Sequence, residues 1–293
     1  MTFTLAHLSD PHIGPLPTPR PGDMMGKRFI GWLNWHKHRR DIHNMDVLAR
    51  ILDDVADQHP DHVALSGDLV NIGLDAEFLL AKTTLANLGD ARTVSMVPGN
   101  HDAYVTDSLG FMDRQFGDYM RGDEGEGFPY LRRRGDIALI GVSSAIPTLP
   151  FLASGAVGTK QRDRLGQLLD ATRDHIRVVM IHHPPHYDGA RLFRRLRDAH
   201  DMEAVLAQHG ADLVLHGHNH RRSLARLPGP AGTTIPVVGV ASCSAVPGDA
   251  AHRAAWHLFH LSRVAGHTTI RLDIRGMEAP DAPVTLLASE TIT

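Results

Sequence analysis

The chain has 293 residues, a net charge of −3 and an apolar content of 42%, which is enough for a large buried core. The near-neutral charge excludes the strong attraction to nucleic acid that a very basic chain would have. The single cysteine, Cys243, excludes an internal disulfide and a cysteine-based zinc site, and it fits a reducing compartment. The first residues lack a signal-peptide pattern and no apolar run reaches membrane-spanning length, so we expect a soluble, cytoplasmic protein.

Five short apolar runs, rich in Val, Ile and Leu, end at polar residues and predict buried strands. In chain order they cover residues 3–9, 62–66, 93–97, 177–181 and 211–215. Helical patterns lie between them, at residues 44–59, 75–88, 160–172 and 198–209. This alternation predicts an α/β fold with largely parallel strands, whose ligand sites belong at the carboxyl ends of the strands.

The second half of the chain adds further strand patterns. They predict strands at 128–133, 136–143 and 233–240, and a hairpin of 256–263 with 268–274 around residues 264–266. We see neither an internal repeat nor a linker, and residues 276–293 show little pattern. We therefore expect one domain over residues 1–275, with an insertion at 14–43, followed by a loose tail at 276–293.

Polar residues that can bind metals collect where the predicted strands end. They are Asp10, His12, Asp68, Asn100, His101, His182, His218 and His220. Residues i and i+2 of an extended segment point the same way, so Asp10 and His12 are expected to face one ion, as are His218 and His220. These motifs are far apart in the chain, so only the fold could bring them together.

This ordered set of motifs resembles the signature of the calcineurin-like metallophosphoesterase family. The motifs are Asp10-Pro11-His12, Gly67-Asp68, Gly99-Asn100-His101-Asp102, His182-His183-Pro184 and Gly217-His218-Asn219-His220. The resemblance implies a four-layer sandwich, in which two mixed β-sheets are flanked by helices.

The resemblance also implies a centre of two divalent metal ions. One ion would be bound by Asp10, His12, Asp68 and His220. The second would be bound by Asp68, Asn100, His182 and His218. Asp68 would bridge the two ions. Oxygen and imidazole ligands suit Mn, Fe or Zn, and the sequence does not select among them.

For the reaction, the resemblance implies in-line attack on a phosphate ester by a hydroxide that bridges the two ions. His101 would stabilise the transition state or protonate the leaving group, and Asp102 would hold its ring. The motifs around His182 and His218 are most similar to the branch with bacterial cyclic-nucleotide and glycerophosphodiester phosphodiesterases. We therefore expect a small phosphodiester as substrate.

Other substrates stay open, namely a lipid-linked pyrophosphate or phospholipid headgroup and a phosphomonoester. An alternative function, a non-catalytic metal-binding scaffold, also stays open. A nucleic-acid substrate is disfavoured because the chain has no surplus of basic residues and no recognisable DNA-binding module.

Two segments are candidates for substrate specificity. In the insertion, residues 27–40 contain two of the three tryptophans among several basic residues. This composition indicates an amphipathic helix packed on the domain, a lid over the metal ions, a dimer contact or a site that binds anionic lipid. After His182, the candidates for substrate contact are His186, Arg191, Arg194 and Arg195, with a solvated basic helix face as the alternative. A homo-oligomer also stays open.

The remaining histidines near these motifs are expected to have ordinary structural roles. His183 and His216 are expected to lie in the core or behind the ligands, and His36, His38 and His43 are expected to be solvated.

Overall fold

The computed structural model describes residues 2–125, 127–246, 249, 251–264, 266–279 and 281–293, without the side chain of His38. Ala265 of the predicted hairpin turn and Pro280 of the expected tail lie outside the described residues.

Strands and helices alternate through the first two thirds of the chain, and strands dominate the remainder. The strands are β1 (Phe3–Leu8), β2 (His62–Leu65), β3 (Val94–Met96), β4 (Tyr130–Arg134), β5 (Ile137–Gly141), β6 (Ile176–Met180), β7 (Leu213–His216), β8 (Ser223–Pro228), β9 (Thr234–Gly239), β10 (Ala255–Val264), β11 (His267–Met277) and β12 (Val284–Thr291). The helices are α1 (Lys27–Asn34), α2 (Met45–Asp57), α3 (Asp75–Thr84), α4 (Ser108–Phe116), α5 (Thr159–Ala171) and α6 (Ala199–His209).

The strands form two mixed sheets of six. The first has the order β12-β11-β10-β1-β2-β3, in which the β1–β2 and β2–β3 pairs are parallel and the others antiparallel. The second has the order β4-β5-β6-β7-β9-β8, with parallel pairing from β5 to β9 and antiparallel pairing at both edges. The predicted α/β class with two mixed sheets flanked by helices is confirmed.

One apolar cluster joins the two sheets. Leu5 and Phe259 of the first sheet belong to the same buried cluster as Met180 and Leu215 of the second. A separate cluster packs α5 and α6 on the other face of the second sheet, for example through Leu206. Alternate residues of β6 therefore serve different layers, as the two-residue period of a strand requires.

This topology gathers the motifs at one edge of the molecule. Each motif follows the carboxyl end of a strand that has a parallel neighbour: β1, β2, β3, β6 and β7. Since parallel strands end on the same side of a sheet, the loops after them meet there. No helix in the described ranges is long and apolar enough to cross a lipid bilayer.

The final segment differs from its expected form. Residues 276–293 were expected to be a loose tail, but β12 pairs antiparallel with β11 over Val284–Thr291. Most of its side chains are exposed on both faces, because β12 is an edge strand. It therefore lacks the alternating apolar pattern by which a half-buried strand is recognised.

Candidate metal centre

Four of the predicted ligands form a first compact group. His12 Nε2 lies 3.1 Å from His220 Nε2 and 3.7 Å from Asp68 Oδ2. His220 Nε2 lies 3.3 Å from Asp10 Oδ1. One ligand atom from each of these four side chains lies within 4.8 Å of all the others, so the group could hold a metal ion.

The other predicted ligands form a second group next to the first. His182 Nε2 lies 3.2 Å from Asn100 Oδ1 and 3.3 Å from His218 Nδ1. The same His182 nitrogen lies 3.4 Å from Asp68 Oδ2. Asp68 therefore lies between the two groups, and its Oδ2 is close to a histidine nitrogen in each group.

Hydrogen bonds fix which ring nitrogens face the cluster. His12 and His182 each place Nδ1 within hydrogen-bond distance of a backbone carbonyl, at 3.1 and 2.7 Å, and His218 does the same with Nε2 at 2.7 Å. A carbonyl can only accept, so these nitrogens carry the protons. The opposite nitrogen of each ring faces the cluster, and in the neutral ring it presents the lone pair that a metal ligand requires.

The backbone that carries these side chains adopts an unusual conformation. Five of the seven predicted ligands have left-handed φ angles between 39° and 68°, namely Asp10, His12, Asp68, His218 and His220. The prediction that Asp10 and His12 lie on an extended segment is therefore wrong, as it is for His218 and His220. The side chains converge because sharp turns after the strands aim them, and such strained residues concentrate at functional sites.

Two motif glycines are required by close packing of the loops. Gly67 has a φ of +93°, and a Cβ there would lie 2.5 Å from the backbone nitrogen of Gly99. A Cβ at Gly217 would overlap an oxygen of Asp10. Any other residue at either position would push apart the loops that carry the ligands.

The electrostatics of the cluster favour charged carboxylates. Burial opposes the charge of Asp10, yet His220 lowers the pKa of that carboxyl, and His182 likewise lowers the pKa of Asp68. Burial also opposes a charge on His182, but the Asp68 carboxylate raises the pKa of that imidazole to about 9. Two anionic carboxylates in a buried pocket favour cations beside them.

One buried atom supports a metal-binding role directly. Asp10 Oδ1 is completely buried and has no hydrogen-bond partner among the described residues. It faces His220 at 3.3 Å and His12 at 4.0 Å. Such a buried carboxylate oxygen is costly unless it binds a cation, so the donor set fits a divalent ion.

Comparison with known proteins agrees with this geometry. The family model for calcineurin-like phosphoesterases matches residues 3–222, which include every motif described above. The chain belongs to the calcineurin-like phosphoesterase family. No curated protein sequence matches it.

Solved structures show the same fold at low sequence identity. The chain is similar to purple acid phosphatase PPD1 from yellow lupin, with 12% identity and a TM-score of 0.61 over 99% of this chain and 53% of the lupin chain. It is similar to SoxB, a sulfate thiohydrolase of Thermus thermophilus, with 18% identity and a TM-score of 0.53 over 96% of this chain and 58% of that one. It is also similar to the NAD nucleotidase NadN of Haemophilus influenzae, with 10% identity and a TM-score of 0.53 over 98% of this chain and 54% of that one. The phosphoesterase chain thus spans little more than half the length of each.

His101 lies against the first group of ligands. Its Nδ1 is 2.5 Å from the Asn71 carbonyl, so this nitrogen donates and Nε2 presents a lone pair. That Nε2 accepts a hydrogen bond of 2.8 Å from Arg39. Burial, followed by the charge of Arg39, lowers the pKa of His101 to about 3, so the ring is neutral in this arrangement.

Asp102 does not hold the His101 ring, which corrects the sequence prediction. Its carboxylate accepts backbone N–H bonds from Asp68 at 2.8 Å, Leu69 at 2.9 Å and Gly99 at 2.8 Å. Asp102 therefore ties the loop after β2 to the loop after β3. Burial, followed by the neighbouring Asp68 carboxylate, raises the pKa of Asp102 to about 7.

Arg39 is a site residue that the sequence did not single out. A π-helical turn at Trp35–Arg39 continues α1 and brings the guanidinium into the cluster, where Nη2 lies 3.1 Å from His12 Nε2. The insertion thus reaches the predicted ligands. No local motif marks Arg39, which is one of several basic residues in its segment.

His43 was expected to be solvated, and this expectation is wrong. The side chain is partly buried, its ring centre lies 4.5 Å from that of His12, and Nδ1 lies 2.8 Å from Ser244 Oγ. His36 is exposed as expected, whereas the side chain of His38 lies outside the described residues.

The core histidines agree with expectation. His183 Nδ1 lies 2.8 Å from Ser144 Oγ and Nε2 lies 3.1 Å from the Ala153 carbonyl, so both ring nitrogens are engaged by the protein. His183 therefore supports the second group from behind, although it is close enough to form a cluster with its neighbours. His216 is buried as well.

The predicted substrate-contact residues lie at different distances from the cluster. Arg194 adjoins it, because its guanidinium donates to the His218 carbonyl at 2.8 Å. The Arg195 guanidinium lies over the Tyr187 ring, 4.1 Å from its centre. His186 is half-buried, and Arg191 is exposed.

A cavity of about 460 Å³ opens beside His12. Trp35 and His36 of the insertion line one part of it, and Met45 lines another. Through His12 the cavity adjoins the first group of ligands.

Proposed function

We propose that this chain is a dimetal-dependent phosphoester hydrolase and that its substrate is a small phosphodiester. The observation that carries the proposal is the position of Asp68, whose Oδ2 lies 3.7 Å from His12 Nε2 and 3.4 Å from His182 Nε2. A carboxylate shared in this way is what a pair of adjacent divalent ions requires.

We assign the ligands to two ions of Mn, Fe or Zn. The first ion would be held by Asp10, His12, Asp68 and His220, and the second by Asp68, Asn100, His182 and His218. When bound, the ions would act as Lewis acids on the phosphate and lower the pKa of a water molecule, which would make it a nucleophile near neutral pH.

We assign His101 to the reacting phosphate. The Asn71 carbonyl fixes the proton on Nδ1, which leaves Nε2 as the nitrogen that can exchange a proton with substrate. An anionic phosphate next to this nitrogen would favour its protonation. The ring would then donate that proton to the leaving oxygen of the ester.

Arg39 would bind oxygens of the phosphate. His12 Nε2 cannot both bind a metal ion and accept a hydrogen bond from Arg39, so the guanidinium has to leave that nitrogen when an ion binds. The planar arginine fork is then free to donate two hydrogen bonds to phosphate oxygens, which is its preferred mode of binding them.

The cavity supports a diester over a monoester. A phosphodiester carries an organic group on each side of phosphorus, so one group needs space beyond the metal cluster. The cavity next to His12 offers that space, with Trp35 and Met45 as apolar wall residues. A phosphomonoester and a lipid-linked pyrophosphate remain alternatives to be tested. We also propose a cytoplasmic location, which agrees with the buried free thiol of Cys243.

Turnover of bis(p-nitrophenyl) phosphate and p-nitrophenyl phosphate tests this function. The protein loaded with Mn, Fe, Co or Zn should hydrolyse the diester faster. His101→Ala should keep its metal content and lose about a hundredfold or more in turnover, because a positioned proton donor contributes roughly 10²–10⁴-fold. His267→Ala, at an exposed histidine of β11, is the matched control and should behave as wild type.

Each part of the proposal can fail separately in this experiment. Faster monoester hydrolysis would overturn the assignment of a diester. Unchanged turnover of His101→Ala would remove His101 from the reaction. A wild type that is inert with all four metals would favour a metal-binding scaffold.

A further inference from the structure

Large apolar side chains are exposed on three surface segments that contact the metal centre. Phe151 is 86% exposed, Leu149 73% and Phe193 63%, although side chains of this size are usually buried. Exposed apolar side chains of this kind lie on three surface segments, residues 20–42, 148–153 and 187–197. We call their most exposed apolar members the apolar rim: Met25, Phe29, Leu149, Phe151, Leu192 and Phe193.

The three segments contact one another. Lys27 of α1 donates a hydrogen bond of 2.9 Å from Nζ to Thr148 Oγ1. The Ala153 amide donates to the Phe193 carbonyl at 3.0 Å. The apolar rim is therefore carried by one continuous surface.

Each segment is also anchored at the metal centre. Arg39 of the first segment contacts His12 and His101. The Ala153 carbonyl of the second lies 3.1 Å from His183 Nε2, and the Arg194 carbonyl of the third lies 2.7 Å from His218 Nε2. The segments that carry the rim thus adjoin the side on which the predicted ligands lie.

Phe151 is held outward by its backbone. Its φ is +68°, a left-handed value that is rare for a bulky aromatic residue and costs about 1–2 kcal/mol. Residues 149–152 form a turn that is closed by a hydrogen bond of 3.2 Å from the Leu152 amide to the Leu149 carbonyl. This turn places the Phe151 side chain at an exposed tip.

The same surface carries a concentration of positive charge. The three segments contain ten Lys and Arg residues against three Asp and no Glu, whereas the whole chain has a net charge of −3. Arg28 is buried and Arg39 lies in the metal centre, so eight of the ten cations remain for the surface. A face with protruding apolar side chains amid basic ones matches the interface of an anionic bilayer, where apolar groups enter the acyl boundary and cations remain at the headgroups.

We propose that the apolar rim docks this protein on an anionic lipid surface, with the metal centre facing the membrane. The contact is peripheral and needs only the rim and the surrounding basic residues. The proposal does not rest on the phosphoesterase activity, because binding to lipid can be measured with neither metal nor substrate present.

Sedimentation with lipid vesicles tests the proposal. The protein should bind vesicles of phosphatidylcholine mixed with phosphatidylglycerol, bind vesicles of phosphatidylcholine alone much less, and be released by high salt. The double variant Phe151→Ser/Phe193→Ser should bind the mixed vesicles about tenfold or more weakly, since each phenylalanine loses its apolar burial. The matched control is Leu224→Ser/Leu286→Ser, which changes exposed leucines outside the three segments and should bind as wild type.

Two further readouts keep the result interpretable. Both double variants should melt at the wild-type temperature in a thermal unfolding scan, which shows that they are folded. No binding of wild type to the mixed vesicles at low salt, or equal loss in both double variants, would overturn the proposal. It would also be overturned if wild type formed a dimer that the Phe151→Ser/Phe193→Ser change dissociated, because the rim would then bind a second copy of the chain.

Discussion

At the scale of single residues, the proposed ligands store backbone strain. Five of the seven have left-handed φ angles, and each such non-glycine residue costs about 1 kcal/mol or more. Fixed hydrogen bonds hold these conformations: the Asp68 amide donates to Asp102 Oδ2, and the His218 amide donates to Asp10 Oδ2 at 3.0 Å. The cost is consistent with a site that is rigid before a metal ion binds.

Arg39 provides the sharpest prediction for a single residue. Arg39→Ala should reduce turnover of a diester by about tenfold to a hundredfold, because charge-assisted hydrogen bonds to an anion contribute roughly 1.5–3 kcal/mol. The same change should strengthen metal binding, since it removes a partly buried positive charge that competes for His12 Nε2. Isothermal titration with Zn²⁺ or Mn²⁺ measures the second effect without substrate.

The control for this prediction is Arg40→Ala, which removes an exposed guanidinium paired with Asp41. It should leave metal affinity unchanged. Weaker metal binding by Arg39→Ala than by wild type would contradict the assigned role of Arg39.

The sequence identified the predicted ligands but not all of their neighbours. Asp10, Asp68 and the paired histidines stand in motifs whose order along the chain is informative by itself. Arg39 and His43 reach the site from the insertion, where no repeating pattern marks them. Asp102 was misassigned because it is adjacent to His101 in sequence, whereas the turn after β3 directs its carboxylate to backbone amides.

At the scale of secondary structure, buried contacts of α1 hold the insertion against the domain. Arg28 of α1 donates from Nη2 to the Gly73 carbonyl at 2.7 Å and from Nε to the Ile72 carbonyl at 3.3 Å. Gly31 permits the close approach of α1 to Tyr104, because a Cβ there would overlap the Tyr104 hydroxyl. These contacts hold α1 beside the metal centre.

We predict that Arg28→Met loosens α1 and the π-helical turn. Loss of charge-assisted hydrogen bonds worth roughly 1.5–3 kcal/mol should speed amide exchange in residues 27–40 by about tenfold to a hundredfold. Hydrogen exchange with mass spectrometry measures this effect by segment. The exposed Lys37→Met variant is the control and should exchange as wild type. If amide exchange in β1 and β6 were accelerated as much as in residues 27–40, α1 would unfold together with the whole domain and the prediction would be wrong.

The strands that can be recognised from the sequence are the buried ones. The central strands β1, β2, β6 and β7 are buried along nearly their whole length and read as apolar runs in the sequence. The edge strands β8 and β12 are mostly exposed, so their formation depends on pairing with β9 and β11 rather than on a local apolar pattern.

At the scale of the whole molecule, buried neutral histidines couple folding to pH. His62 is 1% exposed, its Nε2 lies 2.8 Å from Ser95 Oγ, and burial lowers its pKa to about 3. Between pH 6.5 and pH 3 the unfolded chain binds a proton at this residue and the folded chain does not. The free energy of unfolding must therefore fall as the pH decreases through this range.

We predict that the free energy of unfolding falls between pH 7 and pH 5 by about 2 kcal/mol less in His62→Gln than in wild type. The measurement is urea denaturation at both pH values. His267→Gln, at an exposed histidine, should lose as much stability on acidification as wild type. An identical loss in His62→Gln and wild type would mean that His62 is protonated in the folded protein.

Two distant halves of the chain meet at the proposed metal centre. β1, β2 and β3 of the first sheet bring Asp10, Asp68 and Asn100 to the edge where β6 and β7 of the second sheet bring His182 and His218. The apolar cluster between the sheets fixes this arrangement. The proposed metal centre is therefore a product of sheet packing, with Asp68 at its middle.

The number of divalent ions bound per chain tests this claim most directly. Mass spectrometry of metal content after loading with Mn²⁺ or Zn²⁺ and gel filtration should find two ions in wild type, one in Asp10→Asn, and fewer than one in Asp68→Asn. A wild type that binds a single ion, or an Asp68→Asn variant that keeps both, would contradict the account.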